Sequence, residues 1–161
     1  FNELFVPCER LQQEILTNIN AIGDNFISIS FRFTTLLGDF ADCTGSPLPD
    51  DRKKILIRQS LSVISRISDI APQHSKILVT ADSMTFLREV VKLKDVYVIS
   101  GKVGHMDYAS GDEITMKTFL DFLMIGKAAA VYLAKGPGMY NSAFAKTSAL
   151  LHNKPFMVYE Y

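Results

Sequence analysis

The segment Gly136-Pro137-Gly138-Met139-Tyr140-Asn141-Ser142-Ala143-Phe144-Ala145 follows a short apolar run, Val131-Tyr132-Leu133, and leads into an alanine-containing helical pattern that ends near Leu151. Glycines and small hydroxyl residues between a strand and a helix leave backbone N–H groups free to face a phosphate or another anion. Gly138, Ser142, Ala143 and Phe144 are therefore candidate anion-binding positions, with a purely steric glycine turn as the alternative. A second candidate is Arg32, inside the run Phe26-Ile27-Ser28-Ile29-Ser30-Phe31-Arg32-Phe33. A guanidinium between two phenylalanines needs an acceptor if it is buried. It is either a planar fork for phosphate, the cation of an ion pair with Asp39 or Asp42, or a side chain exposed on an edge strand.

Three further groups lie near apparent strand ends. In Gly38-Asp39-Phe40 the carboxylate could accept a proton or hold a sugar hydroxyl, or it could simply make an Asx-type turn. In Thr80-Ala81-Asp82-Ser83, either Asp82 or Ser83 could cap the next helix or bind a ribose or base. His105 and Asp107 share a polar loop without a third partner at a recognisable spacing. Asp121, beside Phe122 in a helical stretch, is expected to be solvent-exposed or bonded to nearby backbone.

Helices and strands must bring these residues together. Residues 9 to 22 place Leu11, Ile15, Ile19 and Ile22 on one helical face. The run from Phe26 to Phe33 alternates as a half-buried strand would. A long loop from Leu36 to Asp50 follows, then a helix with Leu56, Ser60, Val63 and Ile67 on its buried side. Strands are expected at 76–80, 95–99, 131–133 and 155–159, with helices over 84–91, 113–129 and 142–151 between them. Strands alternating with longer helices, without a tight hairpin signal, predict an α/β domain. Its mostly parallel sheet of about five strands would be covered on both faces, in three layers. An antiparallel sheet with helices on one side is the competitor. In the parallel arrangement ligands bind beyond the strand C-termini, which selects the loops 33–50, 80–84, 100–113 and 134–142.

The bulk composition bounds the partners. A chain of 161 residues supports one core, and 48% apolar with 21% charged residues suits a globular domain. Seventeen basic residues balance seventeen acidic ones, so no broad basic face for nucleic acid is expected. Cys8 and Cys43 lack metal-ligand spacing and are expected as free, partly buried thiols. There is no GxxxxGK[ST], no glycine fingerprint after the first strand, no GxSxG and no Asp-x-Asp pair. An anion site without a metal, built from arginine and backbone N–H groups, is the consistent option. With no secretory signal and no apolar run of about 18 residues, the expectation is a cytoplasmic protein without a transmembrane segment. Peripheral membrane association of a full-length protein stays open. The start at Phe1, without methionine, suggests a fragment.

In order, these segments resemble the C-terminal, nucleotide-sugar-binding half of fucosyltransferases and related enzymes with two facing Rossmann-like domains, the GT-B architecture. That family carries a strand ending in His-x-Arg-Arg-Gly-Asp. Here Arg32 matches the first arginine, Ser30 stands in place of the histidine, Phe33 in place of the second arginine, and Gly38-Asp39 follow after an insertion. Thr80-Ala81-Asp82-Ser83 is similar to the family's Ser/Thr-x-Asp segment. Thr118-Phe119-Leu120-Asp121-Phe122-Leu123 resembles its Phe-x-Asp-Phe core, and Gly138 with Ser142-Ala143-Phe144-Ala145 resembles its final Gly-then-Ser-x-Phe turn. The resemblance implies a single Rossmann-like domain over residues 1–161, completed by a missing N-terminal acceptor domain. It implies transfer of fucose from GDP-fucose, as donor substrate, to a glycan hydroxyl, with neither a bound metal nor a permanent cofactor. Arg32 and the helix N-terminus at Ser142 would neutralise the leaving diphosphate, Asp39 would be the candidate base, and Asp82 and Ser83 would contact the donor. A non-catalytic nucleotide-binding or structural module derived from such a transferase is the alternative.

Overall fold

All six residues of Phe26–Phe31 are buried, which places this strand at the middle of a sheet covered on both faces. The computed structural model describes residues 5–40, 45–104 and 111–161. Its elements run α1 (Glu9–Ile22), β1 (Phe26–Phe31), α2 (Asp50–Ile70), β2 (Lys76–Ala81), α3 (Met84–Val90), β3 (Val96–Tyr97), α4 (Asp112–Ile125), β4 (Val131–Lys135), α5 (Ala143–Leu151) and β5 (Phe156–Glu160). The strands pair in the order β3-β2-β1-β4-β5, and every pairing is parallel. The chain winds outward from β1 to β3, crosses back to β4, and winds outward again to β5. The winding direction reverses between β1 and β4, and at such a reversal a crevice opens beyond the strand C-termini.

Side-chain alternation sorts the strands into two cores. Ile27, Ile29 and Phe31, with Ile77, Val79 and Tyr132, pack against Val63, Ile64 and Ile67 of α2 and Phe86, Leu87 and Val90 of α3. Phe26, Leu78 and Val131 face the other way, onto Leu11 and Ile15 of α1, Leu120 and Met124 of α4, and Ala145 and Ala149 of α5. Each fully buried large side chain contributes about 1.5–3 kcal/mol. The three-layer expectation holds, and the one-sided antiparallel competitor is excluded.

Three local expectations need correction. The first strand is not half-buried, because its central position covers Ser28 and Ser30 as well, at 0% and 7% exposure. The helix expected to reach Ala129 stops at Ile125, followed by Gly126. Beyond it, Ala129 N–H donates to Phe26 O at 2.8 Å and Ser28 N–H to Ala130 O at 3.0 Å, so this stretch is already joined to β1. Cys8 is exposed rather than partly buried, and Cys43 lies outside the described residues.

Burial at the centre has one visible cost. Among the described residues, Ser28 Oγ is the buried side-chain polar atom without a hydrogen-bond partner. Desolvating a hydroxyl without pairing it costs about 1–3 kcal/mol. Ser28→Ala is therefore expected to stabilise the fold by about 1 kcal/mol, read as a higher urea midpoint. A lower midpoint would show that the hydroxyl is satisfied in solution.

Candidate functional site

A cleft of about 320 Å³ opens where the topology requires it, beyond the ends of β1, β2 and β4. Arg32 is the first residue past β1 and lines the cleft. Its Nε lies 3.3 Å from Asp82 Oδ2, and its guanidinium carbon sits 4.5 Å from the centre of the Phe40 ring. The side chain is 25% exposed, so the cation is gripped from two sides while still reaching the cleft. The ion-pair alternative named Asp39 or Asp42; the pair seen among the described residues is with Asp82, and Asp42 lies outside them.

Asp82 does more than balance this charge. Its Oδ1 accepts from Phe33 N–H at 2.8 Å and its Oδ2 from Thr34 N–H at 2.7 Å. Thr34 has φ 52°, a left-handed conformation costly for a β-branched residue. Asp82 therefore holds the end of β1 in the bend that turns Arg32 toward the cleft. Burial pushes the Asp82 pKa above the ordinary carboxylate value, while the Arg32 charge and the backbone N–H groups oppose that rise.

Ser83 and Asp39 meet beside this bend. Ser83 is the N-cap of α3, its Oγ accepting from Phe86 N–H at 3.1 Å and donating to Asp39 Oδ2 at 3.0 Å. Asp39 also accepts from Thr85 N–H at 2.6 Å. The carboxylate expected as a base is thus turned onto the first turn of α3. Ser83 is the capping residue of the Asp82-Ser83 pair, and Asp82 is the one that lines the cleft.

The glycine turn forms the opposite wall. Gly138 has φ 76°, which glycine adopts without strain, and the chain turns there toward α5. Tyr140 N–H then donates to Arg32 O at 3.1 Å, tying the turn to the end of β1. Ser142 caps α5 by accepting from Phe144 N–H at 3.2 Å. Of the first-turn N–H groups, those of Ala143 and Ala145 have no acceptor within a helix, and the aligned peptides add roughly half a positive charge at this end. Ser142, Phe144 and Ala145 line the cleft, with Gly138 and Ala143 setting the turn behind them. Arg32 and the α5 N-terminus, more than a hundred residues apart in sequence, thus share one cleft.

Asp121 was placed in solvent or on nearby backbone. It is instead buried, lines the cleft, and pairs with Lys117 Nζ through Oδ1 at 2.6 Å and Oδ2 at 2.5 Å. Burial raises its pKa, with the Lys117 charge and hydrogen bond opposing. The signal was present as a Lys–Asp pair at i,i+4, on the same helical stretch as the core residues Leu120 and Met124. The two departures from the family motif are both satisfied internally. Ser30 Oγ bonds Thr80 Oγ1 at 2.8 Å, and Phe33 packs with Phe31 and Phe86 at centroid distances of 6.0 and 4.9 Å. His105 and Asp107 lie outside the described residues. Among the described residues, no group of three or more His, Cys, Asp or Glu side chains converges as a metal site, and no helix is long and apolar enough to cross a membrane.

No protein-family model and no curated protein sequence matches the chain. Solved structures do. An α-1,6-fucosyltransferase, NodZ, soaked with GDP-fucose superposes with a TM-score of 0.53 at 14% identity, over 89% of this chain and 42% of that one. NodZ from Bradyrhizobium gives 0.55 at 14% identity, with the same two coverages of 89% and 42%. NodZ co-crystallised with GDP gives 0.58 at 16% identity, over 88% of this chain and 41% of that one. The chain spans less than half the length of these structures. The resemblance holds at the level of fold: this is a Rossmann-like α/β domain similar in fold to part of the NodZ structures.

Proposed function

We propose that the chain is the donor-binding half of a glycosyltransferase that moves fucose from GDP-fucose to a glycan hydroxyl, with no bound metal. The observation that carries this reading is the convergence of Arg32 and the N-terminus of α5 on one cleft at the reversal of strand order. Two preorganised positive groups facing each other suit a diphosphate, whose negative charge grows as the bond from the sugar carbon to the phosphate oxygen breaks. The planar fork of Arg32 and the N–H group of Ala145, at the positive end of α5, would take the phosphate oxygens. Ser30, Thr80 and Asp121 line the remainder of the cleft with acceptors. A carboxylate there matches the two adjacent N–H donors of a guanine edge, where adenine and uracil do not present such a pair.

In this reading Asp82 aims Arg32, and Ser83 with Asp39 secure α3 beside it. The acceptor sugar and the group that takes its proton belong with a second domain, in keeping with the partial coverage of NodZ. Two observations favour a second reading, a nucleotide-binding module without transfer: Asp39 is engaged at α3, and Phe33 is in the core.

Calorimetric titration of the chain with GDP, GDP-fucose, UDP and ADP separates the options. GDP and GDP-fucose are expected to bind at least about tenfold more tightly than UDP and ADP, a margin of about 1.4 kcal/mol, and to do so equally in EDTA. No binding by a folded sample, or a preference for UDP, would sink the donor reading. Transfer to glycan acceptors by the longer protein then decides between an enzyme and a binding module.

A further inference from the structure

Among the described residues Lys117 is the buried lysine, at 4% exposure, and the donor reading assigns it nothing. It lies on α4 one turn before Asp121, and its ammonium contacts both oxygens of that carboxylate. Asp121 lines the cleft, and Lys117 stands behind it. Stability does not explain such a pair, because apolar residues of similar volume are often as stabilising as a buried ion pair. A buried pair beside a binding cleft instead fixes one charge in place for something else to meet.

The packing around the lysine is consistent with that task. Gly101, at φ 124°, lies over its stem, and a Cβ added there would meet the Lys117 Cδ at 3.1 Å. The same loop continues to Val103 and Gly104, which line the cleft. Lys117 thereby ties the loop after β3 to the Asp121 carboxylate. An ionised carboxylate has about four acceptor positions, and Lys117 takes one on each oxygen. The others remain for donors arriving from the cleft.

We infer that Lys117 is a positioning residue of the base subsite: it holds the Asp121 carboxylate as an oriented anion that accepts the paired N–H donors of guanine. This rests on the donor-binding reading above. Lys117 does not touch the nucleotide. Among the described residues, charged groups stand near Asp121 on several elements. Lys117 is on its own helix. Arg32 and Asp82, paired at 3.3 Å, stand across the cleft at the ends of β1 and β2. On the loop after β3, Lys102 is paired with Glu113 of the first turn of α4 at 3.4 Å. The cleft face of α5 brings Ser142, Phe144 and Ala145, none of them charged, and α1 packs its apolar Leu11 and Ile15 against the same side of the sheet. His105 and Asp107 lie outside the described residues.

Without the ammonium, burial alone acts on Asp121 and its carboxyl keeps its proton to higher pH. A protonated carboxyl can no longer accept two donors. The test is GDP titration of the wild-type chain, Lys117→Met and Asp121→Asn from about pH 5.5 to about pH 8, with ADP as control and the melting temperature of each protein recorded. Lys117→Met is expected to bind GDP about tenfold or more weakly than the wild type at the acid end and to recover as pH rises, its loss of affinity displaced to higher pH than the wild type's. Asp121→Asn is expected to bind weakly at every pH. Lys117→Arg should restore the wild-type profile. Should Lys117→Met lose the fold, Lys117→Gln, which keeps a donor on a shorter stem but not the charge, carries the same comparison. Wild-type affinity and the wild-type pH profile in Lys117→Met or Lys117→Gln, with only the melting temperature lowered, would leave Lys117 a structural residue and overturn the inference. A folded wild type that fails to bind GDP at any pH would overturn the donor reading itself, and this inference with it.

Discussion

Arg32→Ala is expected to weaken GDP and GDP-fucose binding by about a hundredfold or more while the chain stays folded. Two charge-assisted hydrogen bonds at about 1.5–3 kcal/mol each are lost with the guanidinium, and about 2.7 kcal/mol already corresponds to a hundredfold. Asp82 loses its cation, which lowers stability, but its carboxylate keeps the Phe33 and Thr34 N–H donors and the deleted side chain is 25% exposed, so a destabilised yet folded chain is expected. Arg32→Lys separates charge from shape: it keeps the cation and loses the fork, and is expected to recover only part of the affinity. Calorimetry and circular dichroism on the three proteins check this. Unchanged GDP affinity in a folded Arg32→Ala protein would remove the diphosphate from this position.

Asp82→Ala is expected to have the largest effect on stability, about 3–5 kcal/mol in urea or thermal unfolding. The substitution leaves Phe33 N–H and Thr34 N–H without their acceptor, removes the Arg32 counterion, and frees the strained Thr34. GDP binding should fall with it, since Arg32 is no longer aimed. Asp82→Asn, retaining one acceptor oxygen, should cost less. The pH dependence has a definite sign. The Asp82 pKa is raised in the folded state, so between the ordinary and the raised value the native chain binds more protons than the unfolded one. Its contribution to stability therefore rises as pH falls through the raised value, and declines as pH rises through it. Asp82→Asn should flatten this slope. An Asp82→Ala protein as stable as the wild type would show that another group holds the end of β1.

What could be read ahead of the structure, and what could not, follows from the range of the interactions involved. The strand and helix periodicities are local, and they placed nearly every element and the parallel, three-layer arrangement. The cap at Ser142 and the turn at Gly138 are local too, and both stand where the sequence put them. The partner of Arg32 is not local. Asp82 lies at the end of a strand brought alongside only by β1–β2 pairing, and the nearer carboxylate, Asp39, was drawn instead to the α3 N-terminus. Serines in β1 were read as an exposed face, because hydroxyls alternate with apolar residues there whether a helix covers them or water does. Asp121 was missed for a related reason: a mid-helix carboxylate is ordinarily solvated, and the i,i+4 lysine that lets it be buried also occurs on exposed helix surfaces.

The most direct test of a nucleotide site at the C-terminal end of this sheet is a GDP titration of the ¹⁵N-labelled chain, followed by amide chemical shifts. The largest changes are expected on Arg32 to Thr34, on Tyr140 to Ala145 and around Asp121, and they should vanish in Arg32→Ala. Changes centred at the opposite end of the sheet, around Asp24, Lys127 and His152, or no changes in a well-folded sample, would contradict it.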